Sequence, residues 1–183
     1  MRYAKIDPLS IANGPGCRIA LFVTGCRNAC ENCFNVKEQD FAYGEEFTDE
    51  TIGRILDLLS QDHASGLTIL GGEPMEPENQ PEVLRLTTAV RERYGHGKTI
   101  WLFTGFTYES LFKEGSRANT AFLRPLLDTL DVIVDGPFVQ RLSGPLLRFR
   151  GSSNQRLIDL ASMRKAETDE LIVWDDGTKR GKI

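Results

Sequence analysis

The apolar residues of the first 135 positions fall into short solid runs separated by longer amphipathic stretches. Ile19-Ala-Leu-Phe-Val23, Leu67-Thr-Ile-Leu70, Thr99-Ile-Trp-Leu-Phe103 and Val132-Ile-Val134 are short, apolar and bounded by turn residues. Such runs read as buried strands. Between the first two, Thr48 to Ser60 carries a helix start signal in Thr48, Asp49 and Glu50, then apolar residues at Ile52, Ile55, Leu56 and Leu59. Pro81 to Tyr94 predicts a second helix, with proline in its first turn and Gly95 at its end. Thr120 to Leu130 predicts a third, which Pro125 breaks or restarts. Past Val134 the pattern weakens, and Leu146 to Phe149 and Leu171 to Val173 are the remaining strand candidates.

Strands that are solidly apolar, and that take turns with helices, predict an α/β fold with a mostly parallel sheet covered by helices. The 183 residues suit one domain and fall short of a complete (β/α)8 barrel, which needs about 250. Residues 1–160 form the expected domain. Residues 161–183 form a C-terminal extension, either part of the domain or frayed, and Asp175 to Ile183 is polar enough to expect fraying.

Composition removes several function classes. With 40% hydrophobic and 26% charged residues the chain is ordinary globular material. A net charge of −4 argues against a nucleic-acid partner, which calls for a basic excess. No apolar run approaches the ~20 residues that span a bilayer, so no membrane role is expected. Met1 to Pro8 has no apolar core of a signal peptide, so a cytoplasmic location with reduced thiols is expected.

Candidate chemistry sits just after the strands. The first runs into Thr24-Gly25-Cys26, the second into Gly71-Gly72-Glu73-Pro74, the third into Thr104-Gly105-Phe106 and the fourth into Asp135-Gly136-Pro137. In parallel α/β folds, sites are assembled from these C-terminal loops. The first loop continues as Cys26-Arg-Asn-Ala-Cys30-Glu-Asn-Cys33, three thiols spaced C-x3-C-x2-C. Clustered cysteines in a reducing compartment serve as ligands more often than as disulfides. Iron–sulfur clusters usually take four thiolates, so three leave one iron open. Cys17 is a poor fourth ligand, because a strand of six or seven residues places it roughly 20 Å from Cys26. Zinc or inert thiols are the alternatives, but His63 and His96 are poorly placed to complete a zinc site.

C-x3-C-x2-C after the first strand with Gly-Gly-Glu-Pro after the second resembles the radical S-adenosylmethionine enzymes. Further stretches bring the resemblance closer, to the glycyl-radical-activating enzymes that serve anaerobic ribonucleotide reductases. These are Asn13-Gly-Pro-Gly16, Thr24-Gly-Cys26, Cys33-Phe-Asn35, W-L-F-T-G-F over 101–106, Val134-Asp-Gly-Pro-Phe138 and Arg150-Gly-Ser-Ser-Asn-Gln155. The match covers roughly residues 1–160.

The resemblance implies a partial (β/α) barrel with Cys26, Cys30 and Cys33 on three irons of a [4Fe–4S] cluster. It places S-adenosyl-L-methionine on the open iron, with Gly71, Gly72 and Glu73 along its methionine end and Asn32, Cys33 and Phe34 near the adenine. Thr104, Asp135 and Asn154 are further polar candidates at the same rim. The family usually carries an aromatic residue where Asn32 stands; here the aromatic is Phe34. The implied reaction is reductive cleavage of S-adenosylmethionine to a 5′-deoxyadenosyl radical, which takes hydrogen from a glycine of the protein substrate. That substrate would be an anaerobic ribonucleoside-triphosphate reductase, with flavodoxin as a candidate electron donor. A different glycyl radical enzyme or a small molecule is the alternative substrate.

Overall fold

The computed structural model describes residues 1–175. Its strands are β1 (Arg2–Ser10), β2 (Cys17–Val23), β3 (Glu45–Glu46), β4 (Ala64–Gly71), β5 (Thr99–Phe103), β6 (Val132–Asp135) and β7 (Arg156–Asp159). Its helices are α1 (Asp49–Leu59), α2 (Gln80–Tyr94), α3 (Tyr108–Leu111), α4 (Leu123–Thr129) and α5 (Leu160–Ala166). The strands form one sheet in the order β3-β1-β2-β4-β5-β6-β7. The four solid apolar runs are its parallel centre, β2-β4-β5-β6. Antiparallel strands flank them, β1 and β3 on one side and β7 on the other. Strands β3 and β7 end the sheet, which is therefore open rather than closed into a barrel.

The predicted helices form where the start and stop signals stand. Thr48 caps α1 and exchanges capping-box bonds with Thr51. Pro81 lies in the first turn of α2, and Gly95 ends it with φ at 54°. Pro125 does not break α4: it is the third helical residue, where a missing N–H costs no bond.

Two expectations need correction. Leu146 to Phe149 is not a strand: Phe149 has φ at 56° and packs edge-on against Trp101 at 5.8 Å. Phe149 joins an aromatic cluster, Leu147 lines a pocket, and Leu146 is 88% exposed, so none of them pairs with a neighbouring strand. In Leu171 to Val173 only Val173 pairs, in an isolated bridge to Ile158. Helix α5 begins at Leu160 and buries Met163 in the main core. The fraying expected from Asp175 onward concerns residues that, past 175, lie outside the described part.

The two faces of the sheet differ, because alternate strand residues point to opposite sides. Ile19, Leu21, Leu67, Ile69, Ile100, Leu102, Ile133 and Ile158 join the main core with the apolar residues of the helices. Ala20, Phe22, Leu70 and Phe103 point the other way, as do Trp101, Val132, Val134 and Leu157. Helices thus cover one face. The other carries aromatic side chains and, toward the starts of the strands, a fully buried Arg18. Its guanidinium donates to Thr68 Oγ1 at 2.6 Å, Thr99 Oγ1 at 2.9 Å, and the carbonyls of Leu67 and Thr99. Burial lowers its pKa to about 10. This plug ties β2, β4 and β5 together at one end, leaving the opposite end for a site.

Candidate metal centre

Where β2 ends, the chain keeps pairing: Gly25 N donates to Glu38 O at 2.8 Å and Cys26 N to Gln39 O at 3.0 Å. Gly25 has φ at 91°, and a Cβ there would lie 2.3 Å from the Phe41 ring, so only glycine fits this crossing. From Cys26 the loop winds tightly, with Ala29 and Asn32 in the left-handed region at φ 46° and 52°. Two of the sulfurs receive backbone hydrogen bonds, Cys26 Sγ from Asn28 N and Cys33 Sγ from Asn35 N, each at 3.4 Å.

All three thiols face one pocket of about 450 Å³, a size suited to a small ligand or cofactor. Gly71, Gly72, Glu73, Thr104 and Gly105 form another part of its wall, and Phe22, Leu70, Phe103 and Phe149 form an apolar floor. Gly72 sits where a Cβ would lie 2.7 Å from the carbonyls of Glu38 and Gly25, so the backbone approaches the cysteine loop with no room for a side chain. Cys17 lies at the opposite end of β2 and outside this pocket.

Glu73 is buried at the junction of three loops. Its Oε1 accepts from Met75 N at 2.9 Å and Thr104 Oγ1 at 2.8 Å. Its Oε2 accepts from Asn28 Nδ2 at 2.7 Å and Gly105 N at 2.8 Å. Four donors fill the carboxylate's lone-pair sites. Burial raises its pKa above the ordinary carboxylate value, and these bonds offset only part of the rise. Glu73, expected along the methionine end of the cofactor, thus joins the cysteine loop to the loops after β4 and β5. Glu76, fully buried beside it, accepts from Arg27 N at 2.8 Å, Arg27 Nη1 at 2.7 Å and Arg117 Nε at 3.0 Å.

The remaining candidates divide. Phe34 lines the pocket while 79% exposed, its ring tilted on Phe138 at a centroid distance of 4.9 Å. Asn32 lies outside the lining and donates to Gln140 Oε1. Asp135 is buried behind the wall, accepting from Tyr108 N at 2.7 Å and Arg156 Nε at 3.0 Å. Asn154 donates to Pro137 O at 2.8 Å, so Gly136 and Gln155 reach the pocket in their place. Sequence reading missed Asn28, Glu76 and Phe149. Asn28 and Glu76 offer no periodic signal, and Phe149 was hidden in an apolar run.

Among the described residues, no three His, Cys, Asp or Glu side chains gather around a single metal ion. A [4Fe–4S] cluster takes its thiolates at separate irons rather than on one ion. The donor set fits: three thiols on one loop, two already receiving N–H bonds, and no histidine nearby. Burial pushes the Cys26 thiol up to about 11, and a coordinated metal would reverse this by deprotonating it.

Residues 12–158 match the family model described as a 4Fe-4S single cluster domain, which sets the class as single-cluster iron–sulfur proteins. Over 157 residues the chain is 38% identical to the anaerobic ribonucleoside-triphosphate reductase-activating protein of Enterobacteria phage T4, covering 86% of this chain and 93% of that protein. The proteins of the same name from Salmonella typhimurium and Escherichia coli K12 are 38% and 37% identical, each over 85% of this chain and 96% of their own length. The chain belongs to the family of anaerobic ribonucleoside-triphosphate reductase-activating proteins.

Proposed function

We propose that this protein is a radical S-adenosylmethionine oxidoreductase that places a glycyl radical on an anaerobic ribonucleoside-triphosphate reductase. The observation that carries the reading is the set of three thiols, rather than four, on one wall of a pocket floored by apolar rings. Cys26, Cys30 and Cys33 would hold a [4Fe–4S] cluster and leave one iron for S-adenosylmethionine. A bound cluster would supply the electron for reductive cleavage of the sulfonium carbon–sulfur bond, and the 5′-deoxyadenosyl radical so formed would take hydrogen from a glycine of the reductase.

The chain's own residues position and protect. The backbone of Gly71 and Gly72 meets the methionine end, since Glu73 is committed to its four donors. Thr104 acts in the same way, as a donor to Glu73. The Phe34 and Phe138 rings offer aromatic faces to the adenine. Phe22, Leu70, Phe103 and Phe149 keep water from the reacting atoms. Asn32, Asp135 and Asn154 hold the surrounding loops through Gln140, Arg156 and Pro137.

The mouth of the pocket supports a protein substrate. Phe34 lines the pocket and is 79% exposed, and Val36 and Leu146, each next in sequence to a lining residue, are 62% and 88% exposed. Exposed apolar residues at a pocket's edge mark interaction sites. An outside one-electron donor such as flavodoxin and a cytoplasmic location complete the proposal; among the described residues no helix is long and apolar enough to cross a membrane. Anaerobic incubation with S-adenosylmethionine, a reductant and the partner reductase should give a glycyl electron-spin signal. A cluster-replete preparation that yields none from intact reductase overturns the proposal.

A further inference from the structure

Asn28 lies between two ligand positions, Cys26 and Cys30, and does three things at once. Its backbone N–H points at Cys26 Sγ, at 3.4 Å. Its carboxamide nitrogen donates to Glu73 Oε2 at 2.7 Å. Its carboxamide oxygen accepts from Arg117 Nη2. Both ends of the amide are therefore held. Arg117 is itself held by Glu76, to which it donates from Nε at 3.0 and 3.1 Å. Glu76 grips the preceding residue as well, through Arg27 N and Arg27 Nη1. On the opposite side, Gly105 leaves room for the amide: a Cβ there would stand 2.3 Å from Asn28 Nδ2. Ala29, the next residue, is in the left-handed region at φ 46°, a conformation that persists only where surroundings enforce it.

We propose that Asn28 is a positioning residue for the cluster, which its clamped amide serves by keeping the Asn28 N–H on Cys26 Sγ and so raising the cluster's reduction potential. The physical reason is charge. A reduced cluster is more negative than an oxidised one, so a hydrogen bond to a ligand sulfur stabilises the reduced form more. The amide also supplies one of the two donors on Glu73 Oε2. Losing it leaves a buried carboxylate less compensated near the cluster, which acts in the same direction.

The inference rests on the reading of Cys26, Cys30 and Cys33 as cluster ligands, and the test separates the two. Wild type, Asn28→Ala and Arg117→Lys are reconstituted anaerobically with iron and sulfide. Iron per chain is counted, and the cluster is titrated with a chemical reductant while its absorbance and electron-spin signal are followed. In Asn28→Ala with wild-type iron content, the reduced-to-oxidised ratio at a fixed solution potential should fall about tenfold, which is 59 mV for a one-electron couple. Arg117→Lys keeps the charge but loses the fork that holds Asn28 and Glu76, and should shift the ratio the same way by a smaller factor. Loaded Asn28→Ala that titrates like wild type overturns the inference while leaving the ligand reading intact. If Asn28→Ala folds but loses iron, the loaded Arg117→Lys decides, and a wild-type titration there overturns the inference. If Asn28→Ala does not fold, Arg117→Lys decides alone, by the same titration. A wild type that takes up no cluster overturns the ligand reading instead.

Discussion

Replacing Glu73 with glutamine tests how the site is assembled. The side chain keeps its shape but exchanges one accepting oxygen for a donating NH2. Glu73 receives two bonds on each oxygen. If the NH2 takes the Oε2 position, it faces Gly105 N–H and the Asn28 amide, whose oxygen is already engaged by Arg117. The less costly placement is at Oε1, where the Thr104 hydroxyl can rotate to accept and only Met75 N–H loses its partner. A buried donor without a partner costs about 1–3 kcal/mol, and bonds to a neutral acceptor are weaker than those to a carboxylate. The expected loss is about 2–4 kcal/mol, which at roughly 2–4 °C per kcal/mol for a chain of this size lowers Tm by several degrees or more. The assay is urea unfolding of the metal-free, reduced protein, with the midpoint lowered at an unchanged slope. A change within about 0.5 kcal/mol, typical of a surface site, would refute the reasoning. It would mean that the four hydrogen bonds to Glu73 contribute no more to folding than contacts at the surface.

Other outcomes follow from the same contacts. Gly105→Ala drives a Cβ to 2.3 Å from Asn28 Nδ2 and should cost about 1–3 kcal/mol in urea unfolding; wild-type stability there would contradict the packing. Glu109 has its pKa lowered to about 2 by hydrogen bonding to Arg156. Because the folded value lies below the unfolded one, near 4.3, its contribution is present above that unfolded value and is lost as pH falls toward about 2. Glu109→Gln should therefore lower stability slightly at neutral pH, and the difference should vanish in acid; a gap that widens in acid would reverse the sign. Leu146→Asp, at 88% exposure, should leave Tm unchanged and weaken binding to the reductase about tenfold in a titration; unchanged affinity would remove Leu146 from the docking rim.

Buried parallel strands announced themselves in the sequence because both faces are covered and every position is apolar, as in Ile19 to Val23. β1 and β7 went unread because their mixed sequences sit at the antiparallel flanks, where charged residues such as Lys5 and Arg156 are tolerated. In Leu146 to Phe149 an apolar run is not a strand, because Phe149 packs in an aromatic cluster while Leu146 is exposed. Cys26, Gly72, Glu73 and Thr104 reach one pocket because each closely follows the end of a parallel strand. What spacing could not reveal is how polar groups are used. Glu73, expected beside the methionine end of the cofactor, also accepts from four protein donors, and Asp135 accepts from Arg156 and Tyr108. Those partners come from up to 45 positions away, a separation that no local pattern encodes.

On the proposed reading, Cys26, Cys30 and Cys33, without Cys17, hold a single [4Fe–4S] cluster with an open iron. Anaerobic reconstitution of wild type, Cys30→Ala and Cys17→Ala, with iron counted and the reduced electron-spin spectrum recorded before and after adding S-adenosylmethionine, tests it most directly. A full complement of iron and a spectrum changed by S-adenosylmethionine are expected in wild type and Cys17→Ala, and loss of both in Cys30→Ala. Full loading and an unaltered response in Cys30→Ala, or their loss in Cys17→Ala, would contradict it.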